Sequence, residues 1–165
     1  MNLKKEFNKE IFDTEIDPKI GIGTEAFELV SELTPIVNVD LLIRNKDGEV
    51  LVSWRDDAVC KKGWHLPGGV LRYKETLIER VHKTAISELG IDVKVSPMPL
   101  DINEIILNQS VRGHFISFLY ECEPCEELND VCMEQCFEKG RLHWYKKGED
   151  EPLVLGQRNI YSKYL

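Results

Sequence analysis

The stretch LPGGVLRYKETLIERVHKTAISELGI, Leu66 to Ile91, narrows what this chain can fold into more than any other. A proline followed by two glycines lets the backbone approach a ligand closely and offer a carbonyl to a metal. Behind it, Leu77, Val81, Ala85 and Leu89, flanked by Ile78 and Ile86, follow a helical period from Thr76 to Leu89. Gly90 stands where a left-handed C-cap belongs. At about 100° per residue Glu88 falls beside the apolar arc, next to Thr84 and Ser87, so a partly buried carboxylate is expected. Such a group needs a partner, either a divalent cation or a lysine or arginine in an ordinary ion pair. The helix alone leaves both open.

Around this helix the pattern changes period. IVNVDLLIR and EVLVSWR are β-branched runs separated by NKDG, so Ile36 to Arg55 is expected to form an antiparallel hairpin. DDAVCKKGWHLPGG reads as a loop, and NEIILN, HFISFLYECE and RLHWYK as further strands. Upstream, TEAFELVSEL reads as a short helix with Thr24 as N-cap, an apolar side of Phe27, Leu29, Val30 and Leu33, and Pro35 as its stop. The segment from Glu123 to Lys139 carries too many acids and cysteines to assign. Strands on both sides of one long helix point to an α+β or α/β/α domain with a mixed sheet. At 165 residues one domain is expected, residues 24–165, preceded by a charge-rich arm, residues 1–23, that is either mobile or ordered against a partner subunit.

The formal net charge of -8 repels phosphodiester backbones and anionic membranes, which argues against nucleic-acid and membrane partners. An anionic small substrate then needs a local cationic pocket or a bound metal. No apolar run approaches the roughly 20 residues of a membrane span and the start lacks a secretory core, so a cytoplasmic protein is expected. Cys122, Cys125, Cys132 and Cys136 form C-x2-C-x6-C-x3-C, which invites a zinc site. The second pair lacks the C-x2-C spacing, so reduced thiols are the preferred reading.

Gly69, Glu75, Glu88, Gly90 and Ile91 together resemble the Nudix box, a loop and helix that bind a divalent metal and a nucleoside diphosphate linked to another group. That box has an Arg-Glu pair where this chain has Lys83 and Thr84, and a Glu pair where it has Ser87 and Glu88. The same positions are altered in the GDP-mannose mannosyl hydrolase branch. The likeness to that branch runs from Thr24 to Ile91, through TEAFELVSELTPIVNVDLLIRNKDGEVLVSWR, the GW before the loop, LPGG, ETL and ELG. It implies a Nudix-like α/β/α sandwich with a mixed β-sheet, a homodimer, and one Mg²⁺ per site with Mn²⁺ as substitute. The implied reaction is water attack on the anomeric carbon of a nucleotide sugar such as GDP-mannose, releasing nucleoside diphosphate and free sugar. One Lewis acid on the leaving diphosphate suffices for such a displacement.

By the same resemblance the metal ligands are the Gly68 carbonyl, Glu88 and Gln135, and Arg55 contacts the diphosphate. Lys83 keeps a charge where the box has arginine, and Asp40 lies near the sugar, or else faces solvent on its strand. Glu75 ties loop to helix. Two departures stand out: Val70 replaces an arginine, and Cys136 replaces a histidine base. Imidazole is the group most easily poised near neutral pH, so His143 and His114 are the replacement candidates, with Glu134, Glu138 or no base as alternatives. Two other functions remain open, a nucleoside diphosphate hydrolase cutting at phosphorus and a non-catalytic nucleotide-sugar sensor.

Overall fold

Strand β1, Ile36–Ile43, is buried over most of its length, with side chains on both faces enclosed by protein. A strand of that kind belongs at the centre of a layered domain. In the computed structural model, which describes residues 19–56, 62–129, 131–132, 137–149 and 153–165, β1 lies between β4 (Gly68–Val70) and the long β7 (His114–Pro124). It runs antiparallel to β4 and parallel to β7. The opposite edge of β7 carries β6 (Asp101–Ile106) along its first half and β5 (Val93–Val95) at its end, both antiparallel. A second sheet has the order β3, β2, β9, β8, formed by Gly63–His65, Val50–Arg55, Leu142–Tyr145 and Val131–Cys132.

Both sheets are mixed, as expected, and helices supply the outer layers. Helix α1 spans Thr24–Leu33, α2 spans Leu77–Leu89 and α3 spans Leu155–Tyr161. The odd positions Val39, Leu41 and Ile43 of β1 join Val81 and Ala85 of α2 in one core cluster. On the other face Leu42 and Leu119 meet Trp54, Trp64, Leu66 and the α3 residue Tyr161 in a second.

Helix α2 follows its sequence pattern closely. Thr76 caps it with a full capping box to Glu79, and Gly90 closes it in the left-handed region at φ 74°. Ile86 is an exception, being 55% exposed. Three other expectations need correction. NKDG does turn the chain, with Asn45 Oδ1 accepting from the Asp47 and Glu49 amides. The flanking strands, however, meet only at the Arg44–Val50 bridge before β1 and β2 enter different sheets. β1 finds its long partner in β7, so the expected hairpin is not formed. Helix α1 begins at Thr24 with Gly23 in the cap position and no side-chain cap. Its inward face is Ala26 and Ser31, while Val30 and Leu33 are exposed.

Glu75 ties the loop to the helix, as the resemblance implied. Its side chain is 3% exposed and accepts from the Arg72 amide, from Arg80 and from Lys83 Nζ at 2.8 Å. Burial works against the charge, but these three donors outweigh it and hold the carboxyl below its ordinary value of 4.5. A depressed carboxylate adds stability that is complete above the unfolded value and is lost as pH falls through the folded one. Urea titrations of the wild type should therefore show stability falling on acidification below about pH 4.5. Glu75→Gln should cost about 3 kcal/mol at pH 7 and flatten that acid limb; an unchanged limb in the variant would remove Glu75 as its source.

Candidate active site

The two glycines of the loop are fixed by contact. β4 pairs with β1 in the register Asp40 to Gly68, Val39 to Gly69 and Asn38 to Val70. A Cβ on Gly68 would lie 2.4 Å from Asp40 Oδ1, and one on Gly69 would lie 2.3 Å from Thr84 Oγ1. Only glycine lets the strand sit this close to both neighbours. Thr84 is 1% exposed, and its hydroxyl has no hydrogen-bond partner among the described residues.

A cleft of about 430 Å³ opens beside this loop. Asp40, Arg55, His65, Gly68 and Glu88 all line it. Asp40 is 2% exposed, so it does not face solvent. Its Oδ2 accepts from the hydroxyls of Ser117 and Tyr161, and its Oδ1 from Asn38 and Gln157. Burial pushes its pKa up, while Ser117, Tyr161, Asn38 and Arg55 pull the other way. Glu88 differs in kind. Its side chain is exposed within the cleft rather than partly buried, yet the protein mass around the recess raises its pKa, with Arg55 opposing. Among the described residues no hydrogen bond or ion pair engages it.

This arrangement fits one kind of metal site. Among the described residues no group of three or more His, Cys, Asp or Glu side chains converges to cage an ion. Asp40 has its oxygens committed to four donors, which leaves Glu88 as the cleft carboxylate without one. A single cleft carboxylate of this kind suits Mg²⁺, which keeps several waters and completes its shell with substrate phosphates.

The remaining candidates are dispersed. Lys83 is not in the cleft wall, since its ammonium is spent on Glu75. His143, on β9, is 7% exposed, stacked on Trp64 and 3.1 Å from Glu149. His114, at the start of β7, pairs with Glu104 on β6. Glu138 is exposed beside Arg141. Gln135, Glu134 and Cys136 lie outside the described residues. Cys122 packs in the core, where burial pushes its thiol up to about 12, an environment that disfavours a zinc-bound thiolate; Cys125 is exposed.

Of the four histidines, only His65 lines the cleft. Its Nδ1 lies 2.7 Å from the Ser53 carbonyl, so Nδ1 carries the proton and Nε2 is the basic nitrogen of the neutral ring. Sequence reasoning passed over it as part of a loop, although it stands three residues before Gly68. Gln157 and Tyr161 were also missed. Gln157 links Asp40 to the Leu66 amide, and the i, i+4 spacing of the two residues puts them on one helix face.

Comparison with known proteins bears on this site. The sequence matches the family model of the NUDIX domain over residues 34–163. It is 35% identical over 152 residues to the low-salt glycan biosynthesis protein Agl8 of Haloferax volcanii, covering 90% of this chain and 91% of that one. A MutT NUDIX hydrolase from Burkholderia pseudomallei superposes with a TM-score of 0.63 at 22% identity, over 80% of this chain and 98% of that one. A MutT protein from Methanosarcina mazei Go1 gives 0.59 at 22% identity, over 79% and 94%. At these identities the two structures establish the shared fold.

The Gly69–Thr84 contact makes a thermodynamic prediction. Gly69→Ala should cost about 1–3 kcal/mol through overpacking. Thr84→Ala alone should stay within about 1 kcal/mol of wild type, because its hydroxyl forfeits no bond. In the double variant the two should couple, with Thr84→Ala recovering more than half of the Gly69→Ala loss. Additive losses in thermal unfolding would refute the contact.

Proposed function

As this chain belongs to the Nudix hydrolase family, whose members work with divalent metals such as Mg²⁺, we propose that it hydrolyses a nucleotide sugar at the anomeric carbon, releasing nucleoside diphosphate and free sugar. The observation that carries this reading is the state of Glu88. Among the described residues it is the uncommitted carboxylate of the cleft, placed where the ordinary box offers several. The name of the Haloferax relative, a glycan biosynthesis protein, supports a substrate that carries a sugar.

Glu88 and the Gly68 carbonyl hold the metal in this scheme, with Gln135 as third ligand by the resemblance. When bound, Mg²⁺ supplies Lewis-acid stabilisation of the departing diphosphate. Arg55, whose charge already acts on both Asp40 and Glu88, adds a second cation on the same leaving group. Asp40 and Asn38 face the sugar. The Asn38 Oδ1 atom is buried without a partner among the described residues and accepts a hydroxyl proton there. His65 Nε2 takes a proton from the attacking water as its oxygen bonds to the anomeric carbon. The bond from that carbon to the diphosphate oxygen breaks, and its electron pair leaves with the diphosphate. The imidazolium then returns its proton to solvent. His65 thus fills the role for which His143 and His114 lie outside the cleft.

Product analysis tests this. With GDP-mannose or GDP-glucose and Mg²⁺ in ¹⁸O-water, GDP and free sugar should appear, with the label on the anomeric carbon. GMP and sugar phosphate, with label on phosphorus, would establish the alternative hydrolase; binding without turnover across a panel of nucleotide sugars would establish a sensor. Glu88→Gln should lower kcat about 10²-fold or more while circular dichroism stays unchanged. His65→Asn, which keeps an N–H for the Ser53 carbonyl, should lower kcat by a similar about 10²-fold with KM little changed.

A further inference from the structure

Helix α3 contributes Gln157 to the wall of the cleft, yet both polar atoms of that side chain are already engaged by protein. Its Oε1 accepts from the Leu66 amide at 2.7 Å, and its Nε2 donates to Asp40 Oδ1 at 3.3 Å. The bridge has a fixed polarity. A backbone N–H needs an acceptor and a carboxylate needs a donor, and a primary amide supplies one of each. A glutamate would set a second carboxylate against Asp40, and a lysine would offer Leu66 no acceptor.

Leu66 stands at a critical point of the chain. Strand β3 of one sheet ends at His65, and β4 of the other begins at Gly68. Leu66 and Pro67 therefore make the crossing between the two sheets, outside the registers that pair His65 with Ser53 and Gly68 with Asp40. Pro67 is held to β1, its carbonyl accepting from the Leu41 amide at 2.9 Å. Leu66 is fully buried, so its N–H needs a partner inside the protein, and Gln157 is that partner. Helix α3 is itself closely set. The Val154 amide just before it donates to the Trp64 carbonyl at 2.8 Å, and a Cβ on Gly156 would meet Ile105 and Leu107 methyl groups at 3.3 Å.

We infer that Gln157 is a positioning residue of the reaction: by tying Leu66 to Asp40 across the two sheets, it sets His65 against the Gly68 carbonyl. The inference rests on the roles proposed above for His65 as base and for the Gly68 carbonyl as metal ligand. A base on one sheet and a ligand on the other keep a working separation only if the two-residue link between them is fixed, and a misplacement of about 1 Å is enough to cost about 10²-fold in rate.

Gln157→Met in the full chain tests it, since methionine keeps the length of the side chain and forfeits both hydrogen bonds. With the nucleotide sugar that wild type turns over and Mg²⁺, kcat should fall about tenfold or more while KM stays within about twofold. Mn²⁺ affinity in saturating GDP, read by electron paramagnetic resonance, should fall about tenfold. In the metal-free chain, hydrogen exchange followed by nuclear magnetic resonance should show the Leu66 amide losing protection while the Arg158 amide inside α3 keeps it. Ile160→Ala, which trims the packing of α3 on the core and leaves the bridge alone, should lower thermal stability with kcat and Mn²⁺ affinity within about twofold. A raised KM at unchanged kcat would make Gln157 a substrate contact and overturn the inference. So would undiminished Mn²⁺ affinity in Gln157→Met, or equal losses of kcat in Ile160→Ala. Absence of wild-type turnover across nucleotide sugars would sink the hydrolase reading, and the Mn²⁺ and exchange measurements would still decide the bridge.

Discussion

The wedge of Gly68 and Gly69 between Asp40 and Thr84 is the contact on which the rest of the site depends. It brings a strand edge against the central strand β1 on one side and against helix α2 on the other, at distances no Cβ would allow. The Gly68 carbonyl, the Asp40 carboxyl and the helix that carries Glu88 are thereby fixed relative to one another. Glu75 reinforces the wedge from behind, since its carboxylate joins the loop at Arg72 to the helix at Arg80 and Lys83. A rigid shell of this kind lets a small number of functional groups act with defined geometry.

Electrostatics then divides the labour among the acids. The chain carries a net charge of -8, and its cleft contains two carboxyls whose pKa values burial pushes upward. Asp40 meets that cost with four internal donors, including Tyr161 from the C-terminal helix. Glu88 has none among the described residues and is left to interact with whatever cation enters. Arg55 influences both. The proposed single-metal site rests on this contrast between a satisfied carboxylate and an unsatisfied one, more than on the count of acids on the helix.

Much of this was legible in the sequence, for physical reasons that differ by element. Helix α2 was readable because its period, its capping box and its glycine C-cap all agree. The role of Glu75 and the placement of Arg55, Gly68 and Glu88 in one cleft followed from the family pattern. The β1–β2 hairpin was misread because an Asp-Gly turn signals a reversal and says nothing about which strand each arm will pair with. β1 gains more from parallel pairing with β7, some 80 residues away, than local spacing can reveal. Helix α3 is seven residues long, too short for periodicity to stand out, and so Gln157 and Tyr161 were invisible. His65 was hidden differently. Its residue type was plain, but only the fold separates it from His114 and His143, which pair with Glu104 and Glu149 and do not line the cleft.

The central claim is that one carboxylate organises one metal, and metal stoichiometry tests it most directly. Electron paramagnetic resonance titration of Mn²⁺ into the protein, in the presence of saturating GDP, should give one bound ion per chain. Glu88→Gln should abolish that site while leaving the fold intact. Two or more tightly bound ions per chain, or one ion retained with undiminished affinity in Glu88→Gln, would contradict the account.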